Sequence, residues 1–128
     1  MKPRVIGYWI VTALVALAFL AGGAADLSRS TQVVEGMKHL GYPSYFALIL
    51  GTWKVLGALA VLAPRFPRLK EWAYAGMVFD LTGAAASHAA SGDDLVKITV
   101  PLALAALVAT SWALRPATRR IDSTPAAP

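Results

Sequence analysis

Four ionisable residues next to or within long apolar stretches are the side chains of this sequence best placed to do chemistry. Lys54 interrupts one apolar run, Asp80 and His88 lie in the next, and Asp26 follows an earlier one. A carboxyl group or an imidazole can bind a polar group or move a proton, and an ammonium group can neutralise a carboxylate. What these groups can do together depends on the elements that position them.

Four apolar blocks are predicted to position them, at residues 5–25, 44–63, 71–91 and 95–114. The chain is 57% hydrophobic and 15% charged, whereas soluble domains are about 45–50% apolar and about 25% charged. A helix of about 20 residues, rising about 1.5 Å per residue, spans a hydrocarbon core of about 30 Å. The sequence therefore predicts an all-α, integral membrane four-helix bundle in a single domain, residues 1–116.

Two of these blocks have an alternative interpretation. The third contains Asp80 and His88, so a three-span protein with a re-entrant third segment is one alternative. The first follows Lys2 and Arg4 and ends in small residues, as a signal peptide does. Its apolar run is longer than the about 7–15 residues of a signal peptide core, so we expect an uncleaved first helix.

The basic residues predict the topology. Eight lysines and arginines flank the blocks on one side and three on the other, which places both termini of a multi-pass inner-membrane protein in the cytoplasm. The basic residues form no patch interleaved with aromatic residues, so no nucleic acid partner is expected.

The outer segment 32–40 has apolar residues at helical spacing and predicts a short amphipathic helix, whose His39 we expect to be solvated. Residues 117–128 are predicted to be a disordered cytoplasmic tail.

Composition excludes several kinds of chemistry. The chain has no cysteine and two histidines, which rules out disulfides, thiol exchange, cysteine-ligated clusters and a histidine-rich metal centre. It also lacks a phosphate-binding loop, a dinucleotide fingerprint and a zinc-protease motif. No metal and no evident cofactor are expected.

Lys54 and Asp80 fall at matching depths near the middle of adjacent predicted spans. Because a lone charge at that depth costs about 2.5–3.5 kcal/mol on insertion scales, we expect them to pair, directly or through a water. The pair either fixes helix packing or forms a polar centre that binds or protonates a ligand. A second hydrogen bond, between His88 and Asp26, is predicted across the helices.

The third block also carries a stripe of small and polar residues at helical spacing. Its members are Gly76, Asp80, Gly83, Ala84, Ser87 and His88. The stripe predicts a pocket that opens toward the outer leaflet, with His88 and Asp26 near its mouth and the segment 32–40 as a lid. The alternative is that the small residues let the helices close up.

The central part of the chain resembles the DoxX-like family of small bacterial four-helix membrane proteins, over roughly residues 5–116. The matching elements are Leu40-Gly41-Tyr42-Pro43, Gly51, Lys54-Val55-Leu56-Gly57, Pro64, Pro67, Glu71-Trp72-Ala73-Tyr74-Ala75-Gly76, Ser87-His88 and Pro101. The family takes its name from a membrane component associated with thiosulfate:quinone oxidoreduction, and other members are linked to oxidative stress. The resemblance implies a membrane bundle with a redox-related association and transfers no catalytic motif.

Three functions follow from these residues. The first is a protein that binds a lipophilic small molecule, either a quinone or an apolar metabolite, through Lys54, Asp80, His88 and Asp26. The second is a non-catalytic scaffold or subunit whose buried charges only fix helix packing. The third is an acid–base isomerase or cyclase in which Asp80 or His88 moves a proton. The partners expected are the lipid bilayer, the ligand, and a second copy or a membrane subunit.

Overall fold

The computed structural model describes residues 2–121, which form five α-helices, one 3-10 turn and no strand. The helices are α1 (Pro3–Ser28), α2 (Thr31–His39), α3 (Phe46–Leu62), α4 (Pro67–Ala90) and α5 (Leu95–Ala113), and the 3-10 turn is Ala117–Arg119. The prediction of an all-α fold is confirmed. The four long helices coincide with the four apolar blocks to within a few residues, and α2 coincides with the predicted amphipathic segment.

Two of the described helices are long and apolar enough to cross a membrane. They are α1 and α5, with mean hydropathies of 2.2 and 1.7. Helix α3 is apolar but has 17 residues, and α4 carries more polar side chains. The crossing of the membrane by all four long helices stays a prediction.

Helices α1 and α3 form the tightest contact of the bundle, and two glycines make it possible. A Cβ atom at Gly23 would lie 3.0 Å from the carbonyl oxygen of Gly51, and a Cβ atom at Gly51 would lie 2.9 Å from that of Gly23. Only a residue without a Cβ lets two backbones approach so closely. This contact joins the C-terminal part of α1 to the N-terminal part of α3, while α4 packs mainly on α5.

The core lies where α1, α3, α4 and α5 meet. Its buried members are Val15, Ala16, Phe19, Ala58, Val61, Tyr74, Met77, Leu81 and Val108. Beside it, the buried hydroxyl of Ser111 lies 2.6 Å from that of Thr12 and 2.8 Å from that of Tyr74. These bonds connect α1, α5 and α4 and satisfy polar groups that would be costly to bury alone.

The chain after α5 returns to the bundle. Arg119 is buried, and its guanidinium donates hydrogen bonds to the carbonyl oxygens of Val61, Leu62 and Ala63 at the end of α3. Helix ends leave such carbonyls without partners. Residues 117–119, assigned by sequence to a disordered tail, are therefore ordered here, and residues 122–128 lie outside the described residues.

Candidate functional site

A cavity of about 700 Å³ lies between α3 and α4. The stripe of small residues on α4 creates it, because a Cβ atom at Gly76 or at Gly83 would meet nothing within 4 Å. The helices therefore do not close on this stripe, and a cavity is present beside it. Asp26 is not among its lining residues, and its opening toward the outer leaflet stays a prediction. Residues of α1, α2 and α5 complete its walls.

The walls of the cavity are mainly apolar and aromatic. The apolar lining includes Phe19, Met37, Leu40, Phe46, Leu50, Trp53, Trp72, Met77, Phe79, Val100, Pro101 and Leu104. Five polar side chains interrupt it, from Tyr42, Lys54, Asp80, Ser87 and His88. An apolar enclosure with a few placed polar groups is the usual form of a small-molecule site.

Lys54 pairs with Asp26 and not with Asp80. Its Nζ lies 2.8 Å from Oδ2 of Asp26, and the two side chains are 23% and 11% exposed. The prediction of a direct Lys54–Asp80 pair is wrong, because the close α1–α3 contact at Gly23 and Gly51 brings Asp26 nearer to Lys54 than the open α3–α4 interface brings Asp80.

Asp80 lines the cavity and forms no ion pair with any described residue. It is partly buried, and within residues 2–121 no cationic nitrogen lies within 4.0 Å of its carboxylate. No hydrogen bond to its side chain is formed by any described residue. The group is therefore available to a molecule in the cavity.

His88 also lines the cavity, but it does not contact Asp26 as predicted. Its Nδ1 lies 2.7 Å from Oδ2 of Asp93, and Nε2 of His39 lies 2.7 Å from the other carboxylate oxygen. Gly92, at a φ of 73°, turns the chain after α4 so that Asp93 faces back toward His88. Asp26 and His88 are held by different partners, and the prediction of a bond between them is wrong.

Asp93 is a residue that the sequence reasoning missed. The hydrogen bond from His88, and then that from His39, hold the pKa of Asp93 below its ordinary value of 3.8. Hydrogen bonds of this kind favour the ionised carboxylate. The signal in the sequence was an acidic residue five positions after a histidine across a glycine turn. The contribution of His39 could not be inferred because it depends on where α2 lies.

Helix α2 covers one end of the cavity. Met37 and Leu40 face the cavity, as does Tyr42 beyond the helix end, where its hydroxyl lies 2.7 Å from that of Ser87. No residue of α2 is buried, so the contacts of His39 and Tyr42 are the polar attachments of this segment to α4 and to the turn that follows it. That this segment acts as a lid stays a prediction.

The structure distributes the predicted site residues over two linked groups. Lys54, Asp80 and His88 line one cavity. Asp26 is not part of the lining, but its carboxylate pairs with the Lys54 ammonium group that is. Among residues 2–121, no group of three or more histidine, aspartate or glutamate side chains is placed to hold a metal ion. Whether these residues bind a ligand stays a prediction.

Fold and site together define an α-helical bundle with an open, mainly apolar cavity that is lined by a few polar side chains. The family model described as the DoxX-like family matches residues 10–111, so this chain belongs to the DoxX-like family. The resemblance noted from the sequence is confirmed.

One relative is a protein of Bacillus subtilis (strain 168) described as "Uncharacterized protein YdgD". It is 36% identical over 74 residues, which are 58% of this chain and 64% of the relative. The match thus spans less than two thirds of that protein. No solved structure matches this chain.

Proposed function

We propose that this chain is a multi-pass membrane protein that binds a lipophilic small molecule in the cavity between α3 and α4. The observation that carries the proposal is a space of about 700 Å³ whose apolar walls are interrupted at Lys54, Asp80 and His88. Sites for small molecules have about 300–1,000 Å³ and a similar division between apolar and polar lining. A bundle that served only as a scaffold would gain stability by closing this space.

The membrane is the second element of the proposal. Helices α1, α3, α4 and α5 cross the inner membrane of a bacterium with both termini in the cytoplasm, as the eight-to-three distribution of basic residues favours. The outer faces of the bundle support this, since large apolar side chains there are exposed. Outside the cavity lining they include Ile6, Ile10, Leu14, Leu17, Leu59, Leu95, Val96 and Leu102. Apolar surface of this extent marks a membrane or protein interface.

A flat lipophile such as a quinone, or an apolar metabolite, suits the cavity. Trp53, Trp72 and Phe79 offer aromatic faces for its body, and Asp80 and His88 offer contacts for its polar end. The redox association implied by the resemblance to the DoxX-like family is compatible with a quinone. An acid–base reaction on such a molecule would use the same two residues.

Filling the cavity tests the proposal. Gly83→Leu places a side chain into open space, and it should not harm the fold because leucine is a better helix former than glycine, by somewhat less than the about 0.8–1 kcal/mol that separates alanine from glycine. Ala106→Leu on the exposed face of α5 is the matched control. Native mass spectrometry of the purified proteins reads the mass of any co-purifying lipophile and the number of subunits.

The expected result is a bound lipophile in the wild type and in Ala106→Leu, and its loss in Gly83→Leu. Retention of the same molecule in the filled variant would place it on the outer surface and contradict the proposal. A wild type that carries and takes up no lipophile, and that purifies in a fixed complex with a second copy or another subunit, would favour the scaffold.

A further inference from the structure

We infer that the site takes a neutral lipophile with a hydrogen-bonding oxygen, that Asp80 contacts this oxygen as an uncharged carboxyl group, and that permanently charged lipophiles are rejected. This inference rests on the proposed ligand-binding function and specifies the chemical class of the ligand.

The first step is a count of charges around the inner part of the cavity. Two carboxyl groups, those of Asp26 and Asp80, share one cation, Lys54. The geometry assigns that cation to Asp26, at 2.8 Å. The charge of Lys54 is thereby balanced by Asp26, and Asp80 is the carboxyl group that has no cation to pair with among the described residues.

The second step concerns His88, the other group that could carry a positive charge in this cavity. It lies eight residues after Asp80 on α4, about 12 Å along the helix axis. Its Nδ1 is engaged by Asp93 at 2.7 Å. His88 is therefore too distant, and too strongly committed to Asp93, to neutralise Asp80.

The third step is the environment of Asp80 itself. It shares the lining of the cavity with apolar side chains such as Trp53, Met77 and Leu81, and no described cation lies within 4.0 Å of it. Partial burial disfavours the charged form of this carboxyl group. The attraction of Lys54 opposes this effect, but Lys54 is already paired with Asp26, so the uncharged form is favoured. A protonated carboxyl both donates and accepts a hydrogen bond, which matches a hydroxyl or a carbonyl oxygen.

Charged ligands fit this arrangement poorly. For an anionic head, the cation that lines the cavity among residues 2–121, Lys54, is already paired with Asp26, and two carboxyl groups lie nearby. A cationic head would bind only if Asp80 first lost its proton, which leaves the empty site with the unpaired charge that its surroundings disfavour. A neutral oxygen needs no free cation and does not require Asp80 to lose its proton.

The test uses one pyrene-labelled alkyl chain with three different ends: a hydroxyl, a sulfonate and a quaternary ammonium. Binding to the protein in phosphatidylcholine nanodiscs is read by energy transfer from tryptophan to pyrene, since Trp53 and Trp72 line the cavity. Gly83→Leu gives the background from probe dissolved in lipid. Asp80→Asn and Asp80→Leu test the group itself, with circular dichroism and gel filtration to confirm that each variant folds.

We expect the hydroxyl probe to bind about tenfold more tightly than either charged probe. Asp80→Asn should keep its affinity within about threefold, because an amide also donates and accepts a hydrogen bond, whereas Asp80→Leu should weaken it about three- to tenfold. Binding of the sulfonate as tight as that of the hydroxyl would overturn the inference. So would tight binding of the ammonium probe that Asp80→Asn abolishes, since that requires a carboxylate. If no probe exceeds the Gly83→Leu background, the proposed function itself fails and the inference fails with it.

Discussion

Lys54 on α3 reaches Asp26 on α1, with 2.8 Å between Nζ and Oδ2, and so joins the two helices at the wall of the cavity. The pair lies beside the Gly23–Gly51 contact. The same close approach of α1 and α3 that needs two glycines therefore also decides which carboxylate neutralises the lysine.

Removing either member of this pair should destabilise the bundle. Asp26→Leu or Lys54→Met alone leaves a charge without its partner, at a cost of about 1–3 kcal/mol, because the side chains are mostly but not fully buried. The double variant should recover part of the loss. Thermal unfolding in detergent measures the loss of stability in each single and double variant. Lys54→Met combined with Asp80→Leu is the control, in which the loss should be close to the sum of the two single losses. Strong coupling to Asp80 and none to Asp26 would refute the assigned pairing.

The sequence was sufficient to predict the helices and the cavity. Runs of about 20 apolar residues predict long helices wherever they lie, and small residues at helical spacing on α4 indicated where the bundle would open. Both signals are local, so they can be read without knowing which helices are neighbours.

The partners of the charged groups could not be predicted in the same way. Matched depth made Asp80 the expected partner of Lys54, but depth does not say which pair of helices is closer. That depends on Gly23 and Gly51, which are 28 positions apart in the sequence. Arg119 shows the same limit, because its partners are carbonyl oxygens of α3 that composition does not reveal.

The contacts of Asp93 should hold α2 over the cavity. Asp93→Asn keeps the shape of the side chain but weakens its bonds to His39 and His88, so α2 should become more mobile. The chain has no cysteine, and Gln32→Cys therefore provides a unique position for a nitroxide label whose mobility is read by electron paramagnetic resonance. Asp94→Asn is the matched control, since asparagine caps α5 as well as aspartate does. Equal label mobility in both variants would mean that Asp93 does not hold the segment.

The same label should report a dependence on pH. Because the pKa of Asp93 is lowered in the folded protein by its bonds to His88 and His39, with Lys97 of α5 adding a smaller attraction, its contribution is present above the ordinary value of 3.8 and is lost as the pH falls through the lowered one. We expect α2 to stay attached down to about pH 4 and to loosen below it. In Asp93→Asn the mobility should be high and should not change over this range. A label that loosens already between pH 7 and pH 5 would assign the attachment to another group.

Arg119 should stabilise the end of α3. Arg119→Ala removes hydrogen bonds to three carbonyl oxygens and the stacking of the guanidinium on Trp9, whose ring centre is 4.5 Å away. We expect a loss of about 1–3 kcal/mol in the free energy of unfolding. Arg120→Ala, at the exposed neighbour, should change it little. Equal melting temperatures for the two variants would show that the segment after α5 contributes nothing to the bundle.

Two glycines on different helices should respond oppositely to the same substitution. A methyl group at Gly23 would lie 2.8 Å from Cγ2 of Val55 and 3.0 Å from the carbonyl oxygen of Gly51, so Gly23→Ala must push α1 away from α3. At Gly83 the methyl group would meet nothing within 4 Å, so Gly83→Ala should gain stability, by up to the about 1 kcal/mol that alanine offers over glycine inside a helix.

Gly23→Ala should lower the melting temperature in detergent, and it should also weaken the coupling between Lys54 and Asp26, because that pair lies at the same contact. Gly83→Ala should raise the melting temperature and leave that coupling unchanged. If both substitutions stabilise the bundle, the close approach of α1 and α3 is not what holds Asp26 against Lys54. The two charges would then have to meet through the flexibility of their own side chains.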